Sequence, residues 1–202
     1  MVSVYDLKPK FQTLLRPLCG TLASAGITAN QVTVAASLIS VVEGTAIFAT
    51  RGIRWALLLL PAVLFLRMAL NVIDGILARE WGQKSRLGAI LNELGDVVSD
   101  TALYLPFAVV PGISAILVSL VVAVAVMTEM AGVVAIQIGA MRRYDGPFGK
   151  SDRALFFGAL AFLLGLGVHA GLWANIALAL AAIVGAITIV KRARAAMNEM
   201  PR

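Results

Sequence analysis

Cysteine and histidine occur once each in 202 residues, aromatics make up 7% and charged residues only 14%. The single Cys19 excludes an intramolecular disulfide and any cysteine-clustered metal site, and beside Leu18 it reads as a packing residue. The few aromatics Trp55, Trp81, Trp173 and Tyr104 fit the belts at a membrane surface better than base-stacking platforms. With so little charge and 60% hydrophobic residues, polar side chains cannot coat a water-soluble globule. The chain belongs in a bilayer. A net charge of +6 on such a chain is explained by loops facing an anionic membrane surface, so no nucleic-acid partner is expected. The first twenty residues mix charges with apolar residues and lack an apolar core followed by a small-residue cleavage site, so no cleavable signal is expected.

Crossing ~30 Å of hydrocarbon takes ~20 helical residues. Six apolar runs of about that size stand between charges, glycines and prolines, at about 31–50, 54–80, 87–108, 112–140, 154–168 and 171–190. Before them, residues 4–20 form an amphipathic segment in which Leu7, Phe11, Leu14, Leu15 and Leu18 recur at helical spacing while Lys8, Lys10 and Arg16 stay wet. The expected architecture is all-α: an interfacial helix and six transmembrane helices in a single domain spanning residues 1–202. Placing the N-terminus in the cytoplasm puts every Lys and Arg from Lys8 to Arg202 on that side, except Arg51 and Arg54 outside and Arg67 within a span. Both termini are therefore expected inside, in a bacterial-type cytoplasmic (inner) membrane. His169 then falls in a short outer connection and receives no catalytic role.

The polar residues concentrate in NVIDGILAREWGQKSRLGAILNELGDVVSD, residues 71–100. Asn71 and Asp74 end one helix, and Asn92, Asp96 and Asp100 follow at four-residue steps along one face of the next. An ionised carboxylate deep in a bilayer costs at least ~2.5 kcal/mol, so such residues face a partner, an ion or a wet cavity. Oxygen ligands without His or Cys suit a hard cation, Mg2+ or Mn2+, with phosphates completing its shell. Gly75 and Ala78 offer a small-residue surface for a nucleotide or helix, and Arg79 can meet a phosphate.

In these residues the chain resembles the CDP-alcohol phosphatidyltransferase family, whose pattern is D-x-x-D-G-x-x-A-R, eight residues, then G-x-x-x-D-x-x-x-D. Here it reads Asn71, Asp74, Gly75, Ala78, Arg79, the eight residues Glu80 to Leu87, Gly88, Asn92 and Asp96. The spacing is intact, and the departures are Asn71 and Asn92, each the leading member of its pair. The stretch from Gly26 to Thr33, with Asn30 and Thr33, is similar to the family's P-N-x-x-T entry to its first span, Ala29 standing where proline is usual. The resemblance implies a transferase of phospholipid biosynthesis that moves a phosphatidyl-type group from a CDP-linked lipid, such as CDP-diacylglycerol, to a small polar alcohol and releases CMP. It also implies two metal ions held at the motif positions Asn71, Asp74, Asn92 and Asp96. The nucleotide and diphosphate would be touched by Asn30, Thr33, Asn71, Asp74, Gly75, Ala78, Arg79 and Gly88. Asp96 would be the general base, with Asp100 as a further catalytic candidate. Arg142, Arg143, Lys150 and Arg153 are similar in place to residues the family uses for an acceptor's phosphate, and homodimerisation is carried over from the family.

Asparagine keeps a carbonyl oxygen but no charge, so four negative charges become two and a second cation is expected to bind more weakly. A one-ion or rebalanced site using Asp74, Asp96 and Asp100 is therefore expected. Other readings stay open. Asp100 is alternatively a cavity carboxylate bonded to Thr101 or a buried arginine, and the basic loop is alternatively a positive-inside loop. Glu43 or Glu129 is expected to pair with Arg67. Transfer of a phospho-headgroup from a CDP-alcohol to a lipid hydroxyl, or a non-catalytic CDP-lipid-binding relative, are the alternatives for function.

Overall fold

The computed structural model describes residues 4–199, with side chains from Phe11 onward; Arg202 and the side chains of Leu7, Lys8 and Lys10 lie outside the described residues. The described residues form seven α-helices and no strand: α1 Val4–Ser24, α2 Ala29–Ala49, α3 Arg54–Glu80, α4 Arg86–Tyr104, α5 Ala115–Val134, α6 Lys150–Gly165 and α7 Leu172–Glu199. Short 3-10 turns, Leu105–Val109 and Ala135–Ile138, extend α4 and α5. The all-α expectation holds, although α7 runs on to Glu199, well past the end expected at about 190.

Among the described residues, four helical segments are long and apolar enough to cross a membrane: Ala29–Ala49, Arg54–Glu80, Ala115–Ile138 and Leu172–Glu199. The other two expected spans are different in kind. α4 carries Glu93, Asp96 and Asp100 within its 19 residues, and the 16 residues of α6 reach only ~24 Å at 1.5 Å per residue. Large apolar side chains such as Val42, Ile116, Leu155 and Leu172 are exposed, a distribution suited to lipid and hazardous in water.

The helices divide into two compact units, one running to Val41 and resuming at Val63–Ser99, the other made of Val42–Ala62 and the chain from Asp100 onward. In the first, Cys19, Ala29, Val32, Ile73, Ile76 and Leu77 form the core, with Leu15 and Leu22 of α1 against them. The inward stripe of α1 thus runs through Leu15, Cys19 and Leu22, whereas Leu14 is 73% and Leu18 46% exposed. Phe11 meets Phe65 edge-on at 6.0 Å, and Arg16 donates twice to Glu80 at 3.1 Å, fastening α1 to α3. α1 ends at Gly26 (φ 77°), where the amides of Gly26 and Ile27 bond back to the carbonyls of Ala23 and Leu22.

The second unit is organised around aromatic rings. Tyr104 stacks on Phe157 at 4.1 Å, and Phe107 and Phe156 lie 5.3 and 5.2 Å from the same ring. Tyr104 is fully buried and so is a core residue, correcting its assignment to an interfacial belt: its place at the end of α4 sets it against α6. Asn175 at the start of α7 accepts from Ser114 N at 2.8 Å and donates to Gly112 O at 3.1 Å, fixing the turn before α5.

Burial pushes the Cys19 thiol above its ordinary pKa, and nearby Glu80 adds to the effect. Native protein at pH 7.5 is therefore expected to resist a maleimide at Cys19 and to react fully once denatured, as read by intact-mass spectrometry.

Candidate active site

In the first unit, the end of α3 and the first turns of α4 bring the motif residues beside α2. Asp74 is 5% exposed; the Thr33 hydroxyl, one turn inside α2, donates to its Oδ2 at 2.7 Å, with Ala29 O at 3.1 Å as the other acceptor. Asn71, one turn before Asp74 on the same face, donates from Nδ2 to Asp96 Oδ1 at 3.4 Å. Asp96 also faces Arg67, whose Nη2 lies 3.6 Å from Oδ1 and donates to the Asp96 carbonyl at 3.2 Å. Arg67 thus pairs with Asp96, a partner the sequence reading did not name. Its spacing, four residues before Asn71 and seven before Asp74, already placed it on the motif face.

The glycines of the motif have steric reasons. A Cβ on Gly88 would stand 2.7 Å from Asn30 Oδ1 and 3.0 Å from Ser85 Oγ; a Cβ on Gly75 would stand 3.0 Å from the Arg79 guanidinium, which folds back over it. Ser85, missed in the sequence reading, accepts from Gly88 N at 2.9 Å in the manner of an N-cap for α4 and faces Asn30 Nδ2 at 3.5 Å. Gln83 accepts from Ala29 N at 2.6 Å and points Nε2 at Ile27 O at 3.5 Å, stitching the α3–α4 connection to the start of α2. Ala78 is half-buried and Arg79 and Asn92 are exposed. Among the described residues no group of three or more His, Cys, Asp or Glu side chains could hold a metal ion. Any ion here would need amide or phosphate oxygens beside Asp74 and Asp96.

Asp100 belongs to the second unit, where its carboxylate meets a buried arginine, the alternative left open for it. Arg153 is 0% exposed, and all its donors are met. Nε and Nη2 donate to Asp100 Oδ2 at 3.1 and 2.9 Å, Nη2 also to Glu129 Oε1 at 2.8 Å, and Nη1 to Thr128 Oγ1 at 2.9 Å and Phe148 O at 3.4 Å. Arg142 donates to Glu129 Oε2 at 3.3 Å and lies over the Tyr144 ring at 4.3 Å. Arg192, absent from the sequence-based candidates, bonds the carbonyl oxygens of Thr128 and Asp145 and stands 3.7 Å from Glu129. Arg143 is held by Asp145 at 2.8 and 3.1 Å and by Glu199 at 2.8 Å. Its guanidinium keeps Asp145 below the ordinary aspartate range. Lys150 opens α6, where Asp152 accepts from Gly149 N at 2.9 Å. The structure therefore gathers Arg142, Arg143 and Arg153 near one loop, as the spacing suggested, but with carboxylates on their guanidiniums.

A family model described as CDP-alcohol phosphatidyltransferase matches residues 26–195. The chain is 45% identical to the inner membrane protein YnbA of Escherichia coli (strain K12) over 97% of both chains. It is 31% identical to a phosphatidylinositol phosphate synthase of Mycobacteroides abscessus, over 46% of this chain and 41% of that one. It is also 32% identical to an archaetidylinositol phosphate synthase of Pyrococcus horikoshii, over 48% and 49% respectively. In fold it matches the Mycobacterium tuberculosis phosphatidylinositol phosphate synthase solved with CDP-DAG bound, with a TM-score of 0.75, 20% identity, and coverage of 92% of this chain and 96% of that one. The same synthase in complex with manganese and citrate matches equally, at TM-score 0.75.

Breaking a buried ion pair from one side leaves a charge without compensation, at ~3–5 kcal/mol. Asp100→Ala is accordingly expected to lower the thermal unfolding midpoint far more than Asp145→Ala, whose pair is solvent-exposed. Intrinsic-fluorescence melting in detergent measures both.

Proposed function

Because the chain belongs to the CDP-alcohol phosphatidyltransferase family and is therefore a transferase of substituted phosphate groups, we propose that it moves a phosphatidyl-type group from a CDP-linked lipid to a small polar alcohol and releases CMP. The observation that carries this reading is the convergence of Thr33 and Asp74, and of Asn71 and Asp96, in one unit around the motif glycines. Asp96 accepts the proton of the acceptor hydroxyl; the oxygen attacks the lipid-bearing phosphorus, and the bond from that phosphorus to the CMP oxygen breaks. Arg67 positions Asp96 from behind. Thr33 fixes the rotamer of Asp74. Gly88 and Gly75 let Asn30 and Arg79 lie close against the backbone, side chains that would face the nucleotide and diphosphate, with Ala78 continuing that surface.

The donor set is oxygen-only: the carboxylates of Asp74 and Asp96 with the amide oxygens of Asn71 and Asn92. It fits a hard divalent cation, Mg2+ or Mn2+, whose shell substrate phosphates complete. Such an ion would neutralise charge on the diphosphate as the phosphoryl group is transferred. Two carboxylates balance one such ion and leave a second under-compensated, so the site takes one ion tightly. Asp100, committed to Arg153, is not in the set.

The chain acts as a single family domain. The carboxylate face of α4 and the short α6 complete six membrane-embedded helices, α1 lies along the surface, and both termini are cytoplasmic. The name of the Escherichia coli relative supports an inner-membrane location. The enzyme works as a homodimer, following the family.

Three outcomes are expected. Purified protein with Mg2+ or Mn2+ and CDP-diacylglycerol releases CMP in the presence of an alcohol acceptor and stops when EDTA is added; silence with every CDP donor and alcohol would overturn the assignment. Asp96→Asn lowers kcat by about 10²–10⁴-fold, the usual contribution of a general base, measured on protein that a melting curve shows to be folded at the assay temperature. Elemental analysis with CDP bound finds one ion per chain, and Asn71→Asp with Asn92→Asp raises the count toward two.

A further inference from the structure

We propose that Gln83 positions the nucleotide-binding edge of α2 by holding the Ala29 amide, a task that a proline at position 29 would make unnecessary. The inference rests on the transferase reading above and concerns the entry to α2, which lies wholly within the first unit. Thr28 caps that helix. Its hydroxyl accepts from Gln31 N at 3.3 Å, the Gln31 side chain accepts from Thr28 N at 2.8 Å, and the Thr28 carbonyl takes the first helical bond, from Val32 N at 3.2 Å. Ala29 is therefore the first helical residue, where the backbone N–H has no carbonyl of its own helix to meet. Proline is favoured at that position because it brings no N–H, and it is usual there in the entry pattern that this stretch resembles. Alanine keeps the N–H and leaves it in a buried place, Ala29 being 6% exposed.

Gln83 meets that donor. Gly82, at φ 66°, turns the chain after α3, and Gln83 Oε1 accepts from Ala29 N at 2.6 Å while its Nε2 faces Ile27 O at 3.5 Å. One side-chain amide thus reaches the backbone on both sides of the cap residue. The neighbouring contacts build on it. Asn30, the next residue of α2, turns Nδ2 to Ser85 Oγ at 3.5 Å, and its Oδ1 lies where a Cβ on Gly88 would be 2.7 Å away. Ser85 Oγ in turn accepts from Gly88 N at 2.9 Å. Residues 29 and 30 are therefore docked on residues 83, 85 and 88. The bond from Ala29 to Gln83 is the shortest of these hydrogen bonds, and it sets the spacing between Asn30 and Gly88, which face each other in the proposed nucleotide surface.

Asp74 and Asp96 have other supports, Thr33 for the first and Arg67 and Asn71 for the second. Loss of Gln83 therefore loosens the nucleotide contacts and leaves the reacting groups in place, a change that raises KM for the CDP-linked donor and spares kcat. A proline at position 29 would put a ring carbon where the amide hydrogen now points. With Gln83 present, that carbon falls inside contact distance of Oε1, which stands 2.6 Å from the nitrogen. With Gln83 truncated, the ring fits the vacated space and itself fixes φ near the helical value. Thr28 lies before the helix, where the residue preceding a proline can stay extended. The effect of each substitution thus reverses when the other is present.

The test uses the full-length protein in detergent with Mn2+ and titrates CDP by calorimetry. Gln83→Ala and Ala29→Pro each weaken CDP binding by about tenfold, the size of one hydrogen bond, and the double variant binds more tightly than either single one. Gln83→Glu, which keeps the acceptor for Ala29, stays closer to native than Gln83→Ala. With CDP-diacylglycerol and an alcohol, the same order appears in KM, and kcat changes less than KM. Unchanged CDP binding in Gln83→Ala, or a double variant no tighter than Gln83→Ala, overturns the inference. So does a loss of kcat as large as the rise in KM, which a merely structural role would give. A second arm needs no ligand. Hydrogen–deuterium exchange of the segment 27–33 speeds up by about tenfold in Gln83→Ala and slows again when Ala29→Pro is added; exchange indifferent to Gln83 overturns the inference. Native protein that binds no CDP would count against the transferase reading alone, and the exchange arm would still decide whether Gln83 holds the entry of α2.

Discussion

A guanidinium with no exposure must have every N–H met inside the protein, and Arg153 is the residue on which this requirement falls hardest. Its partners come from α4, from α5 and from the loop preceding α6. Those elements can take only the relative placement that delivers five acceptors to one planar group. The pairing adds little net stability over a well-packed apolar alternative, because desolvation offsets much of the Coulombic gain. What it adds is uniqueness: helices whose remaining surfaces are largely Ala, Val, Leu and Ile could otherwise slide past one another at small cost. Among these helices, the polar contacts set the register.

The first unit repeats the device on a smaller scale. Arg67, 3% exposed, faces Asp96 through both its carboxylate and its carbonyl, and the Thr33 hydroxyl holds Asp74. Each carboxylate on the α4 face is therefore accompanied by an arginine of its own unit, Asp96 by Arg67 and Asp100 by Arg153. Carboxylates at four-residue spacing along one helix face repel one another, and an apolar surrounding would magnify that repulsion. The arginines allow the face to exist.

What could be read in the sequence was what is local. Apolar runs delimited the helices, and α3 coincides with the run at 54–80. The motif, confined to about thirty consecutive residues, was legible because its spacing alone puts its members on adjoining helix faces. Arg67 obeyed the same periodicity and could have been placed by it; Ser85 could have been found as a cap before Gly88. The pairing of Asp100 with Arg153 could not be read beyond a general expectation of some buried arginine, because the residues are 53 apart and several arginines fall on the same expected side. Charge counting put the basic loop at a membrane face but could not show that Glu199, at the far end of α7, neutralises Arg143. Tyr104 misled because aromatic residues near helix ends suit both an interface and a core, and only the packing of Phe157 decides between them. The two short or charged helices α4 and α6 depart from an ordinary span because they carry the polar network.

The asparagines at positions 71 and 92 follow from the same physics. An aspartate at position 71 would set a carboxylate within about hydrogen-bond distance of Asp96, with one arginine to serve both, so the pair would need a cation before the two helices could close. Asparagine removes that dependence. Its amide nitrogen donates to Asp96, and a half-turn of the amide would present an oxygen to a cation instead. The contact between α3 and α4 at the motif is thereby made by the protein's own side chains, and a cation would not be needed to join them. The trade would be affinity for independence: a carboxylate binds a divalent ion more strongly than an amide oxygen does, but amide pairing needs no ion to bring the two helix faces together.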